Sequence, residues 1–371
     1  MILLGNLFLD SKLNPEVGDN FPALHGDFLG IHKGDSEIYY KMSYEPFQSN
    51  FPPYMYRILT PLLVSLLPFD HLDGFIMINL LAIFLSGILF YFFLKKLNFN
   101  HKISAIGVLL FLLSPGVILS IDDICLTDPV SFLFMIIAFF SILSNNNTLY
   151  FLSLSVGMLN RETVLVTLPL FFISTIDVSR LYESLKSAII VTTLSILEFV
   201  GIRMYLGSHS FLKYLASTSS AVTNLLIHYS TSLNLFYIPY SIYWPFSTLW
   251  IMGFMKFLDI KNDFIKRSAI LLPFIFIQML IASDISRMVF IAFPIIIPMS
   301  LYLFADNLKI PNILMLILIS ASFLAISFLI GIHYFTTYFL VIYNLQSILI
   351  IILLTYILTT KIFNSKNIIS T

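Results

Sequence analysis

Apolar residues run through this chain in blocks of about 15–24 rather than in strict alternation, and that pattern predicts membrane-crossing helices. A helix needs about 20 apolar residues to cross a hydrocarbon core of roughly 30 Å, whereas a barrel strand shows about ten residues of alternation. The blocks fall at 74–94, 103–120, 128–144, 148–160, 163–177, 187–206, 234–255, 269–283, 286–305, 311–333 and 338–360. The expected fold is therefore an all-α, polytopic transmembrane helix bundle of about eleven spans. The blocks at 148–160 and 163–177 are short for two full crossings and fit a broken or re-entrant hairpin as well. The stretch YMYRILTPLLVSLLP, 54–68, has an apolar body interrupted by Arg57 and Pro61, which predicts a helix lying at the interface.

Basic residues set the orientation. Lys95, Lys96 and Lys102 lie in loop 95–102, Arg180 and Lys186 in 178–186, and Lys256, Lys261, Lys266 and Arg267 in 256–268, with Lys361 and Lys366 in the tail. An excess of Lys and Arg in short loops marks the cytoplasmic side. The spans then alternate consistently. Residues 1–73 become an extracytoplasmic acidic loop with an interfacial helix, carrying nine acids against four bases, and 74–371 one integrated transmembrane domain. The same alternation puts IDDICLTD (121–128), NRET (160–163), loop 207–233 and SDISR (283–287) on the outer face. Composition agrees with a multi-pass protein of the plasma membrane: 58% hydrophobic and 11% charged residues leave too few polar side chains to cover a water-exposed surface. Net charge is zero, which removes an electrostatic case for nucleic acid, and the single cysteine, Cys125, excludes an internal disulfide.

Charge near membrane depth is costly, so such groups pair, line a wet cavity or do chemistry. Here Asp35, Glu37, Asp122, Asp123, Asp128, Glu162 and Asp284, with Arg161 and Arg287, arrive on one face from four separate segments. A one-sided polar cup suits a reaction at the outer leaflet better than a carrier with its charges at the midplane. Asp35 and Glu37 stand two apart, sharing a face if the segment is extended and diverging if it is helical. Asp35 is the candidate base and Glu37 a group to orient an acceptor or a Mg²⁺ or Mn²⁺ ion. Tyr39 and Tyr40 read as interfacial belt residues or as platforms for a sugar. Asp128 before Pro129 has the pattern of a helix cap and first turn, and Asp122 or Asp123 offers a second acid. Arg161 and Glu162 are adjacent and cannot neutralise each other on a helix, so Arg161 needs another partner. Asp284 and Arg287, three apart, can pair on one face. His209, His228 and His333 show no zinc-ligand spacing.

The acid-x-acid pair followed by tyrosines, then PYMYRILTPLL, an outer TDP opening a span and LNRET before another apolar run, resembles the C-type (GT-C) membrane glycosyltransferases over roughly residues 30–300. The resemblance implies transfer of a sugar from a polyprenyl-phosphate carrier to a glycan, lipid or protein acceptor on the extracytoplasmic side, with inversion and with a first-loop acid as base. It implies Asp35 and Glu37 in catalysis and Asp122, Asp123, Asp128 and Glu162 as further acids. Arg161 and Arg287, with Asp284, would hold the carrier phosphate, and Tyr39, Tyr40 and Arg57 would contact sugar or acceptor. The family usually carries a cytoplasmic tail and a first span ahead of its acidic loop, where this sequence has MILLGNLFL, too short to cross. The competing reading is a transporter or flippase of lipid-linked or small anionic substrates, in which the same arginines bind and nothing is transformed.

Overall fold

The structure, a computed structural model, describes residues 34–47, 53–176, 181–207, 242, 245–246, 249–255, 257–278 and 285–305. The expected spans 311–333 and 338–360, residues 208–233 of the long loop, Asp284, and the histidines at 209, 228 and 333 lie outside the described residues. Every regular element among the described residues is helical.

The first is α1, Asp35–Tyr44, and it decides the conformation of the acidic stretch. Gly34 at its N-cap has φ 116°, open to glycine at no cost. Asp35 and Glu37 sit in the first turn and Lys41 in the last, each sign matching the helix dipole, and Lys41 Nζ donates to Glu37 Oε1 at 2.9 Å. Ser36, Tyr39, Tyr40 and Ser43 form the buried stripe. The two carboxylates therefore diverge by about 200°.

The apolar stretch that follows is not one interfacial helix. A 3₁₀ turn, Tyr54–Tyr56, and α2, Leu59–Ser65, are separated at Arg57, which is buried. Pro61 stands in the first turn of α2, where a backbone N–H has no intrahelical acceptor to lose. Helix α3, His71–Lys96, is capped by Asp70, whose side chain accepts from the Leu72 N–H, and ends on Lys95 and Lys96. Then come α4, His101–Leu112, and α5, Pro115–Asp122, which meet at 44°. Pro115 is the cause: it disfavours helical backbone at Ser114, which sits at φ −67°, ψ 147°. Helix α6 runs Asp128–Leu143, α7 Asn147–Asn160, and a 3₁₀ segment, Glu162–Thr167, leads into α8, Leu168–Thr175. Helix α9 is Leu181–Gly207, and the later described elements are α10, Leu249–Met255, a 3₁₀ turn Phe257–Asp259, α11, Asp263–Ser268, α12, Leu271–Gln278, α13, Ile285–Phe290, and α14, Phe293–Ala305.

By length and hydropathy α3 and α9 can cross a bilayer, and the bent α4–α5 pair is apolar enough to be either a broken third span or a re-entrant loop. Helix α6, the segment Glu162–Thr175 and the Phe293–Tyr302 part of α14 are apolar but shorter. Helices of 16 and 14 residues, α6 and α7, rise only about 24 and 21 Å. The fold is a membrane-type helical bundle with two to three helices of spanning length among the described residues.

Contacts sort the helix ends. Asn79, in the third turn of α3, donates to the carbonyls of Ile124 and Leu126 just before α6, so α3 and α6 start at the same end of the bundle. At the other end, Phe93 of α3 and Phe139 of α6 both meet Phe264 edge-on, beside Lys266 and Arg267 of α11. Asn147 at the start of α7 donates to Ser187 near the start of α9. Between the ends lies a phenylalanine core in which Phe111 stacks on Phe293 at 4.7 Å and Phe132 meets Phe290 edge-on at 5.1 Å.

Phe290 lies directly on Gly116: a Cβ there would stand 2.3 Å from its ring. The ring is held by Phe132, Phe246 and Phe293 and cannot step aside freely. Gly116→Ala should therefore destabilise the protein by about 1–3 kcal/mol, as overpacking does. Because Phe290 ends the helix that carries Arg287, the position of that arginine should be disturbed with it. An unchanged unfolding temperature in detergent would contradict the close approach.

Candidate functional site

Residue Arg161 adopts an extended backbone, φ −163°, ψ 133°, between α7 and the following 3₁₀ segment. That break lets three consecutive side chains point three ways. Asn160 turns inward, where its amide donates to the Thr127 carbonyl and to Ser131 Oγ and its oxygen accepts from Thr60 Oγ1, pinning α2, α6 and α7 together. Arg161 reaches Asp128 Oδ1. Glu162 takes the opposite side, accepting from Arg57 Nη2 at 2.6 Å and Nε at 3.1 Å, the forked geometry of a strong guanidinium–carboxylate pair. Arg203 Nη2 stands 3.9 Å from Glu162 Oε2, the oxygen that also accepts from Arg57 Nε.

Asp128 is a hub. It is the first residue of α6, its side chain is 4% exposed, and it accepts from Arg161 on one oxygen and from Arg287 on the other. The sequence pattern assigned it a capping role; Thr127 occupies the cap position and makes no side-chain cap bond, and the Asp128 carboxylate is turned to the two guanidiniums instead. Arg287 spans a gap, donating through Nη2 to Asp128 and through Nη1 to Asp35 Oδ2 at 2.9 Å. Asp35 Oδ1 accepts from the Tyr54 hydroxyl at 2.6 Å. Tyr54 packs edge-on against Tyr39, 5.5 Å between centroids, and the Tyr39 hydroxyl accepts from Arg57 Nη1 at 2.9 Å. The contacts thus close into a ring: Asp35, Arg287, Asp128, Arg161, then through the adjacent Glu162 to Arg57, Tyr39, Tyr54 and back to Asp35.

The electrostatics of Asp35 follow from its place in the ring. Burial pushes its carboxyl upward, but the Arg287 charge and the hydrogen bonds from Tyr54 and Arg287, with a smaller contribution from Arg57, outweigh it and hold the group at about 2, below the ordinary 3.8. Burial, and then the neighbouring Asp35 charge, push the Tyr54 phenol upward, so it stays a proton donor. A carboxyl lowered on folding contributes stability that is complete above its unfolded value and is lost as pH falls through the folded one. Between about pH 4 and about pH 2 the unfolding temperature of the wild type should fall more steeply than that of Asp35→Asn, which carries no carboxyl there. Parallel curves would show that the ion pair contributes nothing.

Several expected site residues are elsewhere. Glu37 pairs with Lys41 on the far side of α1, so the acid-x-acid pair does not act as a unit. Tyr39 and Tyr40 are both buried, Tyr39 completely, and offer no open ring face to a sugar; Tyr40 hydroxyl meets Tyr44 hydroxyl at 3.1 Å. Asp122, buried, is the last residue of α5, a helix that packs against α13, and Asp123 is its C-cap. Sequence reasoning missed Arg203 and Tyr54. Arg203 is buried near the end of α9, its guanidinium 3.5 Å from the Phe199 ring centroid and 4.7 Å from that of Tyr56. An arginine inside an apolar block was the available signal. Tyr54, in a run of aromatic residues, carried none.

Comparison with known proteins finds no family model and no curated protein that matches this chain. Among the described residues no three His, Cys, Asp or Glu side chains come together as metal ligands. Asp35 and Asp128 are already held by guanidiniums, and Glu37 pairs with Lys41 on another side of α1, so these three carboxylates do not come together as ligands for Mg²⁺ or Mn²⁺.

Proposed function

We propose that the ring is the active site of a C-type polytopic membrane glycosyltransferase, set at the extracytoplasmic face of a plasma-membrane bundle of about eleven spans, that moves a sugar from a polyprenyl-phosphate carrier to an acceptor hydroxyl. One observation carries the reading: a single guanidinium, Arg287, is shared between the candidate base Asp35 and the buried hub Asp128, with a second guanidinium, Arg161, on that same hub. Glycosyl transfer from a lipid phosphate needs that combination, cationic donors at the leaving phosphate within reach of a carboxylate. Arg161 Nε adds to it, since this buried donor has no acceptor among the described residues and a phosphate oxygen would satisfy it.

In this reading the acceptor oxygen forms its bond to the anomeric carbon from the face opposite the phosphate, and inversion follows. The bond from that carbon to the phosphate oxygen breaks and polyprenyl phosphate leaves on the arginines. The hydroxyl proton passes to Asp35. Stabilising the developing phosphate charge with fixed guanidiniums is the main rate-enhancing effect available to these residues.

The test uses purified protein in nanodiscs supplied with a polyprenyl-phosphate sugar and candidate acceptors. Release of free polyprenyl phosphate coupled to acceptor glycosylation is expected. Arg287→Lys should weaken carrier binding by about 1.5–3 kcal/mol, roughly ten- to a hundredfold, because an ammonium keeps the charge but loses the fork. Movement of the intact lipid-linked sugar across the bilayer with no release would favour the transporter instead.

A further inference from the structure

We propose that Arg287, besides binding the anion, masks Asp35 until that anion arrives: a phosphoryl group bound at Arg287 displaces Asp35 Oδ2 from Nη1 while the other arm of the guanidinium stays on Asp128. The inference rests on the glycosyltransferase reading for the identity of the anion, and on geometry for the exchange itself.

The two carboxylates on Arg287 are not equivalent. The Asp128 side chain is 4% exposed, sits on the first turn of a core helix and is gripped from behind by Arg161. The Asp35 side chain is 30% exposed and belongs to a short helix that begins at a glycine in the first loop. An incoming anion therefore reaches the Asp35 side of the guanidinium and meets the weaker grip there. Arg287 need not leave its place, because Asp128 retains it. Asp35 need not move far either, because the Tyr54 hydroxyl continues to hold Oδ1. The oxygen set free is Oδ2, the one that then accepts a proton.

Among the described residues the charged and titratable groups that face Asp35 are Arg287 from α13, Tyr54 from the 3₁₀ turn, the like-charged Asp128 from α6 on the same guanidinium and, at longer range, Arg57 after that turn. Among the described residues only Arg287 pairs with it directly as a cation, so removing that contact restores most of the carboxylate's ordinary basicity, and a phosphate charge nearby adds to it. In the resting state Asp35 is a weak base locked in an ion pair. With the donor phosphate in place it becomes a competent one, so the base is switched on by the molecule it must act beside.

The experiment is solid-state NMR of protein carrying ¹³C-carboxyl aspartate in lipid at about pH 4, with the Asp35 resonance identified by its absence in Asp35→Asn. Without ligand the resonance should lie at the ionised position. Saturating polyprenyl phosphate, with occupancy read from its bound ³¹P signal in the same sample, should move it about halfway towards the protonated position. Arg287→Gln should show the shifted resonance with no ligand and no further response. Inorganic phosphate at the same concentration separates the sources: a shift with it supports exchange by any phosphoryl anion, and none supports a requirement for the lipid carrier. Bound carrier with an unmoved Asp35 resonance overturns the proposal, and so does an Arg287→Gln spectrum like that of the wild type. If the resonance shifts but no sugar is transferred in nanodiscs, the exchange stands and the glycosyltransferase reading falls.

Discussion

Asp128→Ala should cost about 3–5 kcal/mol of stability, the penalty for breaking a buried ion pair and leaving charge uncompensated. Two guanidiniums, Arg161 and Arg287, lose their shared carboxylate at once, and neither can turn to water, since their side chains are 5% and 9% exposed. The magnitude discriminates between roles. Had Asp128 only capped its helix, as the Asp-Pro pattern suggests, the cost would be about 0.5–2 kcal/mol. Unfolding by denaturant titration in detergent measures the difference. Glu37→Ala is the control, since its pair with Lys41 lies along one turn of an exposed helix face, where such pairs contribute about 0.5 kcal/mol or less. Equal effects of the two substitutions would remove the hub from the account of the site.

Asp35→Asn should leave folding nearly intact and lower turnover by about 10²–10⁴, the usual contribution of a general base. The amide keeps the volume and accepts from Tyr54, while Arg287 remains on Asp128. Carrier binding should persist or tighten, because a competitor for the Arg287 guanidinium has been removed. Turnover within a few-fold of wild type would move the proton-accepting role to Asp122 or Asp123, at the end of the helix that packs against α13.

What could be read from the sequence is bounded by what is local. The gathering of charges at one end of the bundle was legible, because intramembrane-depth charge is expensive and the alternation of apolar blocks sends its loops to one side or the other. So was the divergence of Arg161 from Glu162. The conformation of DSEIYY was not: an acid-x-acid spacing is compatible with strand or helix, and a glycine with positive φ plus the Glu37–Lys41 pair decided for helix. Asp128 shows the limit from the other side. Its local pattern predicts a cap, and a cap is what short-range reasoning returns, but its partners lie 33 and 159 residues away. The split of the 103–120 block was hidden for a related reason, since Pro115 breaks an apolar run that hydropathy counts as continuous, while the blocks at 74–94, 128–144 and 148–160 match their helices closely.

Those separations also set a timetable for biosynthesis. At about 5–20 residues per second, Asp128 leaves the ribosome some seconds before Arg161 and roughly ten to thirty seconds before Arg287. Asp35 waits for Arg287 across 252 residues, longer still. Throughout that interval the nascent chain holds an acidic first loop and a carboxylate at the mouth of a partly inserted helix with only Arg161 to meet it. A chain that has not yet reached residue 287 therefore carries Asp35 without the guanidinium that holds it in the folded protein. The last described helices serve as the key that closes the assembly, and a chain interrupted before residue 287 would expose an unneutralised carboxylate for quality control to recognise.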